Sequence, residues 1–528
     1  MEKFDYDLQS IQEARNLLRK GHKAFKEYAT YSKEQVDKIV KNMVDVAMQN
    51  AVKLGQMAQE ETGFGVATDK AYKNYAASGL LYDEIRDMQT VGIIRKDEKK
   101  QIMEVADPVG LVMGIVPSTN PTSTIIFKSI IALKSRNAII FSPHPAALKC
   151  SLEAARLMEQ AAVEAGAPEG IISCITMPAL ETTNEIMTAK EVSLIIATGG
   201  PAMVKAAYSA GKPAIGVGAG NSPAYIERSA DVKKAVETIM ASKTFDNGTI
   251  CASEQSIICE ETNYEEVVRE FKNAGAYFMT EEETPKVCAL LFRNNMAMNP
   301  QFVGKPAKYI AEHAGIKVPE NTQVLIGRQY GVGKEYPLSY EKLTTVLGFY
   351  VVKDWEEACH LSIDLLQNGI GHTMSIHTNN DDIVNKFSVK PASRILVNTG
   401  GTQGGTGIST GLAVSFTLGC GTMGGSSVSE NVGPLDLVNM KKVAYGIKDV
   451  RTLAQNDARF QALLEDKSCC VNGCQYSGYE WSPEQIQRAF EKSLNQKSVE
   501  MKKQENDLTD LEGDKLKNLI FDVIRALA

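Results

Sequence analysis

Over the first fifth of the chain, apolar and charged residues are interleaved at helical spacing. Residues 8–54, with Val36, Ile39, Val40, Met43 and Val44 on one stripe, contain no proline and predict surface-packed helices, and the same spacing continues to about residue 88. Segments 91–94 and 101–105 then flank a charged turn at 95–100, the pattern of a hairpin that could bridge subunits. From residue 109 the pattern changes to short apolar runs at 111–116, 138–141, 171–176 and 192–197, separated by helix-periodic stretches such as 146–165. Strand and helix in alternation predict parallel βαβ units and a doubly wound sheet. A second strand-and-helix region spans 222–443. No repeat with a period of 20 to 50 residues is visible.

The tail has a different grammar. Residues 492–510 are polar, whereas 514–528 place Leu516, Leu519, Ile520, Val523, Ile524 and Leu527 on one helical face. Such a helix on a polar tether either docks on its own domain or a neighbouring subunit, or binds another protein.

With 528 residues, 44% apolar and 23% charged, the chain is long enough for several domains with large cores. A formal charge of -7 has the wrong sign for a protein whose main partner is a nucleic-acid backbone. Ten cysteines are too sparse for a disulfide framework, and the opening residues have no apolar signal-peptide core, so a reducing, cytoplasmic setting is expected. The most apolar window, 111–132, is interrupted by Pro117, Pro121 and Lys128, so no membrane span is expected.

Several segments could carry chemistry. Cys251 sits in the polar loop 246–254 before an apolar run, where a thiol can be exposed and activated, whereas Cys259 inside that run should be buried and inert. Asn120, between the strand 111–116 and Pro121, either caps a turn or offers its amide to an oxyanion. Thr198-Gly199-Gly200-Pro201 ends a buried strand and opens a helix, a turn that can present backbone N–H groups to a phosphate. Ser142-Pro143-His144-Pro145 ends a neighbouring strand, so the two turns could share one nucleotide crevice. Gly-rich runs at 216–221 and 400–405 are individually weak signals, and neither the Rossmann glycine spacing nor a Walker A motif is present.

Taken in order, Asn120, Thr198-Gly199-Gly200, the run 216–221, Cys251 and Ser339-Tyr340-Glu341-Lys342-Leu343 resemble the aldehyde dehydrogenase superfamily. The likeness covers about 25–443 and is strongest to the CoA-acylating branch, which includes the aldehyde half of bifunctional aldehyde-alcohol dehydrogenases. It implies an α/β fold with a Rossmann-type cofactor domain at 1–222, a hairpin oligomerisation arm at 91–105, and a catalytic domain at 223–443. A C-terminal region at 444–491, a polar linker at 492–513 and a docking helix at 514–528 follow. By the resemblance, Cys251 is the nucleophile and the Asn120 amide, with the Cys251 N–H, holds the oxyanion. Thr198, Gly199 and Gly200 form the pyrophosphate turn, Ser142 and His144 lie at the adenosine ribose with Pro143 between them, and Glu341 lies at the nicotinamide ribose. Val217 and Gly218 complete the cofactor set.

Hydrolytic members carry a glutamate base where this chain has Val217, and a valine cannot deprotonate water. The acyl acceptor should therefore be a thiol, with CoA as co-substrate, unless another carboxylate such as Glu254 supplies a base. The expected cofactor is NAD, with NADP left open because Ser142 replaces the lysine of hydrolytic members. Thr345 also departs from the proline of many members. His372 receives no catalytic role, and Cys469, Cys470 and Cys474 are read as packing or surface thiols.

The resemblance further implies a short-chain aldehyde, acetaldehyde or propionaldehyde, and a homodimer or homotetramer. The segment 514–528 is similar to the encapsulation peptides of bacterial microcompartments, which implies a shell protein as partner and a place inside such a compartment. A non-acylating dehydrogenase, or a catalytically silent scaffold, is the alternative; a scaffold would show damage at Cys251 or Asn120.

Overall fold

The computed structural model describes residues 5–367 and 369–465; the predicted tail segments 492–513 and 514–528, and Cys469, Cys470 and Cys474, lie outside them. The chain divides after Tyr445 into two compact units. Of the second, the described part holds the helix Ala458–Glu465 and, before it, a turn in which Arg451 pairs with Asp449 at 2.9 Å.

The first unit begins with the helices Tyr6–Tyr28, Lys33–Gln49 and Ala51–Thr62. The predicted apolar stripe, Val36 to Val44, is fully buried, and Ser32 starts its helix with a reciprocal capping box to Gln35. These helices cover a five-stranded parallel sheet with the order Ile172–Cys174, Ala138–Pro143, Leu111–Val116, Val192–Thr198, Ala214–Val217. Leu111–Val116 is buried along its whole length because helices lie on both faces, which is why it reads as an unbroken apolar run. Each fully buried Val, Leu or Ile there contributes about 1.5–3 kcal/mol.

The order of connection reverses between Leu111–Val116 and Val192–Thr198. Strands before that point run to one side and strands after it to the other, so a crevice opens at the carboxyl ends of these two neighbours. A seven-stranded parallel sheet follows, in the order Ala276–Phe278, Val324–Arg328, Val346–Val352, Glu254–Glu260, Ser222–Ile226, Gly371–His377, Ala392–Val397. Val414, Val432 and Leu437 return to the core of the first sheet.

The hairpin forms as Gly92–Asp97 and Ile102–Pro108, with Asp97 accepting the Lys99 and Lys100 N–H groups at its turn. It gains a third antiparallel strand, Val438–Ala444, beside Ile102–Pro108. Among the described residues, no helix is long and apolar enough to cross a membrane.

Candidate active site

A cleft of about 590 Å³ opens at the strand reversal. Its walls are the carboxyl ends of four parallel strands, and every residue to which the resemblance gives a catalytic or cofactor-binding role lies on it. Asn120 follows Leu111–Val116; Ser142, Pro143 and His144 end Ala138–Pro143; Thr198, Gly199 and Gly200 end Val192–Thr198; Val217 and Gly218 end Ala214–Val217. Cys251 and Glu341 close it from the side of the second sheet.

Cys251 follows the tight turn Phe245–Gly248, in which Asp246 and Asn247 take left-handed backbone angles (φ 49° and 51°), and precedes the buried strand Glu254–Glu260. The Gly220 backbone passes so close that a Cβ there would lie 1.9 Å from the Cys251 carbonyl oxygen, so only glycine fits. The thiol is only partly exposed. Burial first, then the Glu341 carboxylate and Cys420, push it up to about 12, against a smaller downward pull from Arg394. The resting group is therefore a protonated thiol, not the activated one that the loop composition suggests. Cys259 is fully buried and also pushed up to about 12, as an inert core thiol should be.

Asn120 precedes Pro121, the first residue of the buried helix Pro121–Lys134, yet its side chain makes no capping bond to that helix. The turn reading is thereby removed. Its Oδ1 instead accepts from Lys73 Nζ at 2.6 Å, and its Nδ2 donates to the Thr249 carbonyl and to Thr119 Oγ1, both at 3.2 Å.

Glu341 accepts the Gly220 N–H at 2.9 Å, and burial pushes its carboxyl up to about 7. Val217 is almost completely buried and presents an aliphatic side chain on the cleft wall. Glu254 does not line the cleft: Ser242 Oγ and the Gly401 N–H, each at 2.6 Å, occupy its carboxylate, so it is not placed to act as a base. The glycines at 400–405 form the short helix Gly401–Gly405 with Gly400 as its N-cap; they do not line the cleft, and Gly401 and Gly405 pack against Ala252.

The cleft's polar groups fit a dinucleotide. Thr198 Oγ1 is buried without a hydrogen-bond partner among the described residues. A Cβ on Gly200 or Gly218 would meet nothing within 4 Å, so the space beside both is open, and the helix Pro201–Ser209 starts from Gly200 with no side-chain cap. Ser142 shares a 2.9 Å hydrogen bond with Thr183, and His144 Nδ1 accepts the Ala146 N–H at 3.1 Å.

Two further groups stand near the nucleophile: His372, given no catalytic role from the sequence, and Arg394, which the sequence does not single out. His372 is buried beside Gly220, its Nδ1 bonded to Thr373 Oγ1 at 2.9 Å and its Nε2 without a partner among the described residues; burial, then Arg394, pull its pKa down to about 3, so the ring is neutral. Arg394 is a buried cation whose hydrogen bonds go to carbonyl, hydroxyl and amide oxygens rather than to a carboxylate. Both look unremarkable in sequence, because only the folded strands Gly371–His377 and Ala392–Val397 bring them to the nucleophile.

The aldehyde dehydrogenase family model matches residues 5–335. The bifunctional aldehyde-alcohol dehydrogenase of Escherichia coli is 46% identical over 442 residues, covering 82% of this chain and 50% of the relative, so the chain spans about half the length of the curated relatives it matches first. An acetylating aldehyde dehydrogenase from Geobacillus thermoglucosidasius superposes with a TM-score of 0.83 at 51% identity, covering 85% of this chain and 99% of that one. A propionaldehyde dehydrogenase from Rhodopseudomonas palustris, solved with bound CoA and an acylated cysteine, superposes with a TM-score of 0.74 at 27% identity, covering 82% and 97%.

Proposed function

Because the chain belongs to the aldehyde dehydrogenase family, we propose that it oxidises a short-chain aldehyde, acetaldehyde or propionaldehyde, to the acyl-CoA with NAD and CoA. The observation that carries this reading is the pairing of Cys251 and Asn120 in one cleft with a valine, Val217, where a water-activating carboxylate would be needed. The acetylating name of the Geobacillus relative supports the same acceptor.

In the proposed reaction the Cys251 thiol releases its proton to solvent and the sulfur adds to the aldehyde carbon, moving the carbonyl π pair onto oxygen. The new oxyanion is held by Asn120 Nδ2–H and the Cys251 backbone N–H. A bound nicotinamide supplies the acceptor for the hydride lost from that carbon. Cys251 is left as a thioester, which the CoA thiolate attacks, expelling the Cys251 sulfur and forming acyl-CoA. With the Val217 side chain in place of a base, water is a poor competitor. Thr198, Gly199 and Gly200 would hold the pyrophosphate, Ser142, Pro143 and His144 the adenosine end, and Glu341, Val217 and Gly218 the nicotinamide end. No charged side chain stands at Ser142 to His144 to select for or against a 2′-phosphate, so NADP should be accepted as well as NAD.

The hairpin supports assembly into a homodimer or homotetramer: Gly92–Asp97 is an edge strand, and Ile93 is exposed on it. The pattern at 514–528 supports docking to a microcompartment shell protein, which would confine a volatile aldehyde beside the enzyme that consumes it. A chain ending near residue 496 should stay active but no longer co-purify with shells.

The primary test is NADH formation from propionaldehyde and NAD, with and without CoA, for the intact protein and Cys251→Ala. Turnover that requires both CoA and Cys251 is expected. Equal turnover without CoA would mean that water reaches the thioester, and no turnover at all would favour a silent scaffold.

A further inference from the structure

The charged cluster behind Asn120 has no part in the chemistry described so far. Lys70 and Lys73 lie on the helix Ala67–Tyr75, outside the region where the sequence reading sought function, and both ammonium groups converge on the Asp246 carboxylate. All three side chains are at most 3% exposed. Two buried lysines on one helix are costly unless the fold uses the charge.

Lys73 joins the two halves of the oxyanion site. Its Nζ donates to Asn120 Oδ1 at 2.6 Å, to Thr249 Oγ1 at 3.0 Å and to Asp246. Thr249 Oγ1 in turn donates to Asp246 Oδ2 at 2.7 Å, and Asp246 holds the left-handed turn that leads to Cys251. An ammonium has only donors, so it dictates which end of the Asn120 amide faces it. The reversed amide would set NH₂ against NH₃⁺. With Oδ1 fixed on Lys73, Nδ2 points to Thr249 and Thr119 beside the nucleophile, through hydrogen bonds of 3.2 Å. These are long enough for a developing oxyanion to compete for the same hydrogens. A cation on Oδ1 also polarises the amide and makes its N–H a stronger donor.

We propose that Lys73, paired with Asp246, is a positioning residue that sets the orientation of the Asn120 amide and ties it to the loop carrying Cys251. Lys70 has a lesser part, since it touches Asp246 and the Thr119 carbonyl (2.9 Å) but not Asn120.

This rests on the catalytic reading above, and a double-mutant cycle separates the two. Lys73→Met, Asn120→Ala and the double variant are compared for kcat and for KM of NAD, with the rate of Cys251 alkylation as a check on the fold. Removing one oxyanion donor costs about 100- to 1,000-fold. Asn120→Ala should fall in that range and Lys73→Met should lose about 30-fold in kcat with little change in KM for NAD. The double variant should be no slower than Asn120→Ala alone, because the lysine acts through the amide. Lys73→Gln, which donates without charge, should lie between parent and Lys73→Met, and it replaces Lys73→Met in the cycle if that variant does not fold. Penalties that multiply in the double variant, or parent-level kcat in Lys73→Met, would overturn the inference while the intact enzyme still turned over. An intact enzyme without CoA-dependent turnover would instead overturn the catalytic reading.

Discussion

The Gly220 N–H donates to the Glu341 carboxylate at 2.9 Å, which ties the loop beneath the nucleophile to the group proposed for the nicotinamide ribose. Burial raises this carboxyl to about 7, so its charge changes across the physiological range.

A carboxylate accepts hydrogen bonds from ribose hydroxyls better than the neutral acid does. KM for NAD should therefore fall as pH rises from 6 to 8, by up to about tenfold for a single group titrating near 7. Glu341→Gln should flatten that dependence and raise KM. A pH-independent KM in the parent enzyme would count against the role.

Gly220→Ala places a Cβ 1.9 Å from the Cys251 carbonyl oxygen, and the loop must move to relieve it. The Cys251 N–H is carried along with its carbonyl. We expect a loss in kcat above about 100-fold, the scale of one missing oxyanion donor. Parent-level kcat would mean that the loop yields without disturbing the nucleophile.

Val217→Glu restores a carboxylate to the cleft wall. NADH formation without CoA should appear at least about tenfold above the parent background, in line with general-base catalysis. If that background stays flat while CoA-dependent turnover persists, Val217 does not decide the acceptor.

The resting Cys251 thiol is pushed up to about 12, so its thiolate fraction should still be increasing well above neutrality. Alkylation of the cofactor-free protein by iodoacetamide should accelerate about tenfold per pH unit between 7 and 9. A plateau below pH 8 would show an already ionised thiol.

Four of the five strands of the first sheet were legible because apolar runs bounded by turn residues specify them locally; the predicted 111–116 is the observed Leu111–Val116, and 192–197 ends one residue short of Val192–Thr198, whereas the four-residue Ala214–Val217 was hidden in the Gly-rich run 216–221. The hairpin was legible because two short apolar segments flank the charged turn at 95–100. Its third strand was not, since Val438–Ala444 is mostly exposed and gains its identity only from a partner far along the chain. In the site, Cys251, Asn120 and the Thr198 turn stood out because glycine, proline and a loop thiol are conspicuous in one dimension. Lys70, Lys73 and Arg394 did not: a lysine at helical spacing looks the same whether it faces water or Asp246, and burial is decided by the fold.

Glu104 and Lys442 form an ion pair across the three-stranded sheet although 338 residues of sequence separate them. A ribosome adding roughly 5–20 residues per second makes the second of these strands on the order of tens of seconds after the first. Throughout that interval one edge of Ile102–Pro108 has open backbone donors and acceptors, able to pair with the nascent chain on a neighbouring ribosome. The yield of this protein should therefore depend on translation speed and on chaperones that shield strand edges during synthesis.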